Sequence, residues 1–200
     1  MLSQPSQPDT DTGSENCSNY SFFSLRRWLQ ISLLVSLMII GAWITIPLPF
    51  SPVPLTFQLL IVLLCPFILG SSGAFAAILL YLLMGSIGLP VFSGMHGGLH
   101  MLVGPTGGYL FGFLIAMPLM GALSKRNMLF SLIMGLLIIY ACGVSYLAIL
   151  TQISFSKALL LGFVPYLPLD ILKILLVRLL LLKYKKVLTM ECSLDEGDHE

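Results

Sequence analysis

The sequence predicts an all-α membrane protein, with six transmembrane helices in a bundle whose outer loops cap a ligand cavity. Three observations carry this. Hydrophobic residues make up 57% of the 200 and charged residues only 10%, against about 25% charged in a soluble domain. Mean hydropathy is +0.96. The acids avoid the body of the chain: Asp9, Asp11 and Glu15 lie near the N-terminus, and Glu191, Asp195, Glu196, Asp198 and Glu200 near the C-terminus. Asp170 alone lies between. This composition excludes a water-soluble globule and a disordered chain. A net charge of +1 offers no basic footprint for nucleic acid.

Crossing about 30 Å of hydrocarbon takes roughly 20 apolar residues. Residues 1–24 are rich in Ser, Asp, Asn, Gln and Thr and lack the basic and apolar regions of a signal peptide. They read as a disordered cytoplasmic tail. The membrane domain is expected over 25–188. Its first span runs from Trp28 to Ile46, stopped by Pro47, Pro49, Pro52 and Pro54. The second runs from Leu55 to Leu69 and ends in Gly70-Ser71-Ser72-Gly73. The third runs from Ala74 to Leu89, before Pro90. Residues 91–103, with their glycines and histidines, are too irregular for a helix. The fourth span starts at Pro105, a residue suited to a first helical position, and runs to Leu123. The fifth covers Met128 to about Leu150, and the last begins near Pro168 and ends at Lys183. Residues 189–200 form an acidic cytoplasmic tail. Cys17, Cys65, Cys142 and Cys192 form no CxxC pair, so neither a zinc site nor a disulfide framework is expected.

Orientation follows from the basic residues near span ends. With the N-terminus in the cytoplasm, that side receives Arg26, Arg27, Lys125, Arg126, Lys183, Lys185 and Lys186, against Lys157 outside. An even number of spans puts both basic ends on one side, so both termini are expected in the cytoplasm.

The outer loops then converge. Four prolines between Pro47 and Pro54 fix φ and favour a stiff extended strap, which reads equally as a lid or as a rigid linker. The next loop, Pro90 to His100, leads to Gly104-Pro105-Thr106-Gly107-Gly108-Tyr109. Gly104, Gly108, Gly112 and Ala116 recur every four residues, the spacing of close helix packing.

The last span carries the main signal. Asp170 and Lys173 are three apart and share a helical face. A charge at the centre of a membrane helix costs about 2.5–3.5 kcal/mol even on the lenient scale. Such a pair is a candidate binding site, or else an ion pair that locks two helices. On the assumption that Lys183 marks the inner interface, Asp170 lies several ångströms below the outer one. Arg178 is close enough to Lys183 to snorkel toward the cytoplasm. Ser93, His96 and His100 form the one cluster that invites an enzymatic reading. Gly97 and Gly98 break the helix that a His-x-x-x-His metal site needs, and no nearby carboxylate completes a triad. No catalytic residue and no metal ligand is therefore predicted, and no P-loop motif for ATP hydrolysis occurs.

Four ordered motifs carry a resemblance: Pro47-Leu-Pro-Phe-Ser-Pro-Val-Pro-Leu-Thr-Phe-Gln58, Gly88-Leu-Pro-Val-Phe-Ser-Gly94, Gly104-Pro-Thr-Gly-Gly-Tyr-Leu-Phe-Gly-Phe113 and Pro168-Leu-Asp-Ile-Leu-Lys173. Over roughly residues 28–185 the chain resembles the BioY family, the biotin-specific S components of energy-coupling factor (ECF) transporters. The resemblance implies a six-helix bundle in the cytoplasmic membrane that takes up biotin, with no cofactor. Its implied partners are a transmembrane coupling subunit and ABC-type ATPase subunits; the alternatives are another small vitamin or a solo biotin facilitator. It implies that Asp170 and Lys173 match the family's polar contacts. Tyr109 and the Ser93–Gly98 segment fall where the family's loop reaches the pocket. Thr56 and Gln58, at the end of the first motif, join the candidate set. Phe92, with Tyr109, Met95 and Tyr166, would supply apolar walls. Ser32 and Ser36 stand where the family carries a small-residue docking face, with Gly41 and Ala42 beyond.

Overall fold

The structure, a computed structural model, describes residues 12–195 apart from 125, with side chains described over 25–183. The basic residue Lys125 and the outermost parts of both tails lie outside the described residues. Helix α1 runs Thr12–Trp43 and contains the apolar span Leu25–Trp43. Ile31, Leu34, Val35, Met38 and Ala42 are buried, the stripe of one helical face. The helix stops short of the expected Ile46. Thr45–Ile46 (β1) pairs antiparallel with Leu55–Thr56 (β2), Thr45 opposite Thr56 and Ile46 opposite Leu55. β-Branched residues favour the pleated backbone, and prolines cannot extend the ladder inward. The proline strap is thus a loop closed at its base by a two-stranded stem.

Helix α2, Gln58–Ser86, breaks at Gly70 (φ +69°, ψ −174°), a backbone region essentially restricted to glycine. Its two halves are antiparallel arms. The C-terminal end of α1 touches the start of α2 and the segment just after it: a Cβ on Gly41 would lie 3.0 Å from Gln58 Cα, and Trp43 Nε1 donates to Pro90 O at 2.8 Å. The opposite end of α1 meets the bend, where Arg27 donates to Ser72 Oγ. The arms are the expected second and third spans.

The next segment is less irregular than expected. It holds a single 3-10 turn, Ser93–Met95, and a short helix α3, Leu99–Val103. Gly94 (φ +71°) lies inside the turn and Gly98 (φ +102°) directly before α3, both at positive φ that glycine adopts without strain. Helix α4 is Gly107–Leu123; Thr106, not Pro105, precedes its first turn. Helix α5 is Met128–Thr151, capped by Asn127 Oδ1, which accepts from Leu129 N and Phe130 N. Helix α6 (Phe155–Gly162) fills the stretch left between the expected fifth and last spans. It is followed by α7 (Leu167–Asp195), with a 52° bend between them.

Among the described residues, three helices can by length and composition cross a membrane alone, or four with the bent α6–α7 pair. The expected six passes correspond to α1, the two arms of α2, α4, α5 and the bent pair, α4 being a shorter apolar helix of 17 residues. Backbone helix continues past both ends of 25–188, since α1 begins at Thr12 and α7 ends at Asp195.

The glycine stripe is a packing seam between α4 and α5. A Cβ on Gly108 would lie 2.3 Å from Tyr146 Cβ, and one on Gly112 would lie 3.0 Å from Ile139 Cα. Gly143 answers from α5, where a Cβ would strike the Tyr109 ring at 2.4 Å. Bare backbone on both sides lets the helices approach closely and fixes Tyr109 against α5.

Candidate functional site

The site is built where the stem of the strap, the outer end of α4, the middle of α5 and the start of α7 meet. Asp170 lies in the first turn of α7, where the helix dipole favours a carboxylate, and it is 1% exposed. Lys173 Nζ donates to Asp170 Oδ1 at 2.9 Å and to Thr56 O at 3.1 Å. Tyr140 donates from its hydroxyl to Asp170 Oδ2. One i,i+3 pair on α7 is therefore tied to the strap's stem and to α5. Tyr140 lies near the middle of α5, so Asp170 is held against the middle of that helix. Helix α6 and the 163–166 turn precede the start of α7.

A cavity opens on this pair. Among the predicted residues, Thr56, Gln58, Phe92, Ser93, Tyr109, Asp170 and Lys173 line it. Phe92 is 1% exposed and stacks edge-on with Tyr81, centroids 5.5 Å apart. Its ring fills the space a side chain at Gly85 would need. Ser93 Oγ lies 3.2 Å from Thr45 Oγ, which ties the loop to β1. Tyr109 donates to Gly162 O at 2.8 Å, pinning the end of α6 over the site. Gln58 is buried at the start of α2, and its Nε2 has no hydrogen-bond partner within the described residues.

Gly98 corrects the expectation, because it does not line the cavity. Its N–H donates to Gly85 O at 2.7 Å and its positive φ starts α3, so its part is to turn the loop. Met95 is 61% exposed and lies in the outer vestibule beside His96. His96 Nδ1 contacts Ser93 O at 3.0 Å, and among the described residues no three His, Cys, Asp or Glu side chains come together.

One residue of the candidate site was missed by sequence reasoning. Tyr140 sits in an apolar run with no spacing signal, and only the need of a buried carboxylate for several partners points to it. Tyr166, expected as a wall, is also a latch. Its hydroxyl reaches Val53 O and Ser51 Oγ, binding the strap to the turn before α7. Aromatic edges support the site from behind, with Tyr140 packed against Phe163 (4.7 Å) and Tyr109 (6.1 Å).

Ser32 and Ser36 are exposed on α1, each hydroxyl turned back onto its own helix, to Trp28 O and Ser32 O, both at 2.9 Å. Gly41 and Ala42, read beside them, instead face inward against α2.

Comparison with known proteins agrees with this architecture. The chain is 39% identical over 168 residues to the biotin transporter BioY of Thermotoga maritima, covering 82% of this chain and 98% of that protein. It is 39% identical over 143 residues to a probable biotin transporter BioY of Pyrococcus horikoshii, covering 72% and 86%. The fold is shared with a crystal structure of the S-component for biotin from an ECF-type ABC transporter, at a TM-score of 0.76 and 23% identity, over 82% of this chain and 92% of that one. A sequence profile of the BioY family matches residues 14–190, and the chain belongs to that family.

Proposed function

We propose that this chain is a membrane-embedded capture protein for biotin, the substrate-binding component of an ECF-type uptake system. The observation that carries the reading is the buried Asp170–Lys173 pair opening onto a cavity with apolar walls. An ionised carboxylate offers about four acceptor positions and an ammonium three donors. Tyr140 and Lys173 occupy two of the former, and Asp170 and Thr56 two of the latter. Acceptor positions therefore remain on Asp170, and one N–H remains on Lys173. Biotin presents ureido N–H groups that suit Asp170 and a carbonyl or carboxylate that suits Lys173, while its thioether ring suits Phe92 and Tyr109.

Val53, Pro54 and Ser93 border this cavity, and the basic residues near the span ends support a reading in which capture is from outside with both termini in the cytoplasm. No P-loop occurs in the sequence. Energy would come from ABC-type ATPase subunits through a coupling subunit docked on the small exposed face at Ser32 and Ser36. Thermal unfolding in detergent tests the ligand: biotin should raise Tm in the native chain and not in Asp170→Asn. Full biotin affinity in Asp170→Asn would remove the central claim. Uptake of labelled biotin by cells with and without the partner subunits tests coupling, and equal uptake by the chain alone would reject it.

A further inference from the structure

Gln58 stands at the start of α2, is 4% exposed, and lines the cavity that holds the Asp170–Lys173 pair. Among the described residues its Nε2 is the one buried side-chain nitrogen or oxygen without a hydrogen-bond partner. Its place is fixed by backbone. A Cβ on Gly41 would lie 3.0 Å from both N and Cα of Gln58, so α1 abuts the first turn of α2 with no side chain between them. Thr56, two residues earlier, pairs with Thr45 in the stem and gives its carbonyl to Lys173. Gln58 therefore enters the cavity wall within two residues of the group that holds the ammonium.

A side-chain amide carries two N–H donors and one carbonyl acceptor. The polar group beside Gln58 is the Tyr81 hydroxyl, which is already committed as a donor to Val91 O at 2.9 Å. That hydroxyl meets the amide nitrogen only as an acceptor, so at least one N–H is left over. A buried donor without an acceptor costs stability, and an apolar side chain of similar shape would remove that cost. An occupant of the cavity that brings an acceptor removes it as well.

We infer that Gln58 selects the ligand by its ureido oxygen, its amide N–H donating to that oxygen beside Lys173 while Asp170 accepts from a ureido N–H. This role rests on biotin being the ligand of the cavity. In a flat cyclic urea the oxygen is flanked by the two N–H groups. A ureido N–H on Asp170 therefore turns the oxygen toward Lys173, on the same helical face, and toward the stem and first turn of α2. An ammonium is a point charge that takes any oxygen, whereas a fixed amide adds a direction. The carboxylate of biotin, at the far end of a flexible chain, is left to the rest of the cavity.

Competition against labelled biotin on the full-length chain in detergent tests it, with biotin, biotin methyl ester and thiobiotin, in which sulfur replaces the ureido oxygen. Gln58→Leu should bind biotin roughly tenfold more weakly than the native chain. The loss should be the same for the methyl ester and under about threefold for thiobiotin, whose sulfur is a poor acceptor. Without ligand, the Tm of Gln58→Leu should equal or exceed the native value, because a spare buried donor is gone; Gln58→Met serves if leucine does not fit. A loss that vanishes with the methyl ester would put Gln58 on the carboxylate, and a loss as large for thiobiotin as for biotin would put it elsewhere; either overturns the role. A lower ligand-free Tm in both variants would show that the amide is satisfied within the chain, and overturns it too. Native-like biotin affinity in Gln58→Leu overturns the role of Gln58 and leaves the cavity a biotin site, whereas a native chain that binds no biotin overturns both.

Discussion

Tyr140 holds the carboxylate oxygen of Asp170 that Lys173 does not. With Oδ2 on the phenol and Oδ1 on the ammonium at 2.9 Å, the carboxylate plane is set from two helices. Lone pairs are left at defined angles for a ligand. A buried charge is tolerated only when paired and hydrogen-bonded, so this pair of contacts positions Asp170 as well as neutralising it.

Tyr140→Phe should keep the ring stacking on Phe163 and lose only the hydroxyl. A hydrogen bond to a charged group contributes about 1.5–3 kcal/mol, so biotin affinity should fall roughly tenfold or more, and Tm should fall with it. Calorimetric titration and thermal unfolding check this; unchanged affinity would mean that Lys173 alone orients Asp170.

Removing one member of the ion pair should be worse than removing both. Lys173→Met leaves an unpaired buried carboxylate and should cost about 3–5 kcal/mol of stability. Asp170→Asn combined with Lys173→Met should recover part of that loss while binding no biotin. The comparison is made by thermal unfolding in one detergent. A double variant no more stable than Lys173→Met alone would contradict the burial argument.

Tyr166→Phe should release the strap from the turn before α7, because Val53 O loses its donor and Ser51 Oγ its hydroxyl partner. Faster hydrogen exchange over residues 47–56 and about a tenfold faster biotin dissociation are expected, by analogy with one lost buried hydrogen bond. An exchange pattern identical to the native chain would show that the prolines alone hold the strap.

Gly70→Ala should destabilise although the space around Gly70 is open, with nothing within 4 Å of an added Cβ. The cost, about 1–3 kcal/mol, comes from the backbone region alone. Gly112→Leu should also destabilise, by about 1–3 kcal/mol, through a clash with Ile139. Biotin should partly rescue the first, since the α2 bend is remote from the site. The Tm of each variant with and without biotin separates the two causes.

Much of this was legible in the residues. The Gly70–Gly73 break between two apolar runs marked the hairpin of α2, because glycine is what such a bend requires. The lone Asp170 one turn from Lys173 marked the site, because a charge in hydrocarbon needs a partner. What was not legible depended on distant contacts. Tyr140 reads like any apolar-run aromatic until α7 lies beside it. Gly98 was read as a pocket residue from the resemblance of the Ser93–Gly98 segment, yet its positive φ and its hydrogen bond to Gly85 O give it a turning part. Helix α6 was hidden by Ser154, Ser156 and Lys157, whose polarity reads as loop, although Ala158 and Gly162 pack onto α5.

Thr56 gives its two faces to two different tasks. It is paired with Thr45 in the stem of the strap, and its carbonyl accepts from Lys173. Lifting the stem would take the Thr56 carbonyl away from the ammonium. The door of the binding chamber is thus wired to its charge: an empty, open chamber carries an electrostatic debt that an occupant with a well-placed oxygen would relieve. Occupancy can then be sensed at the surface through a single carbonyl.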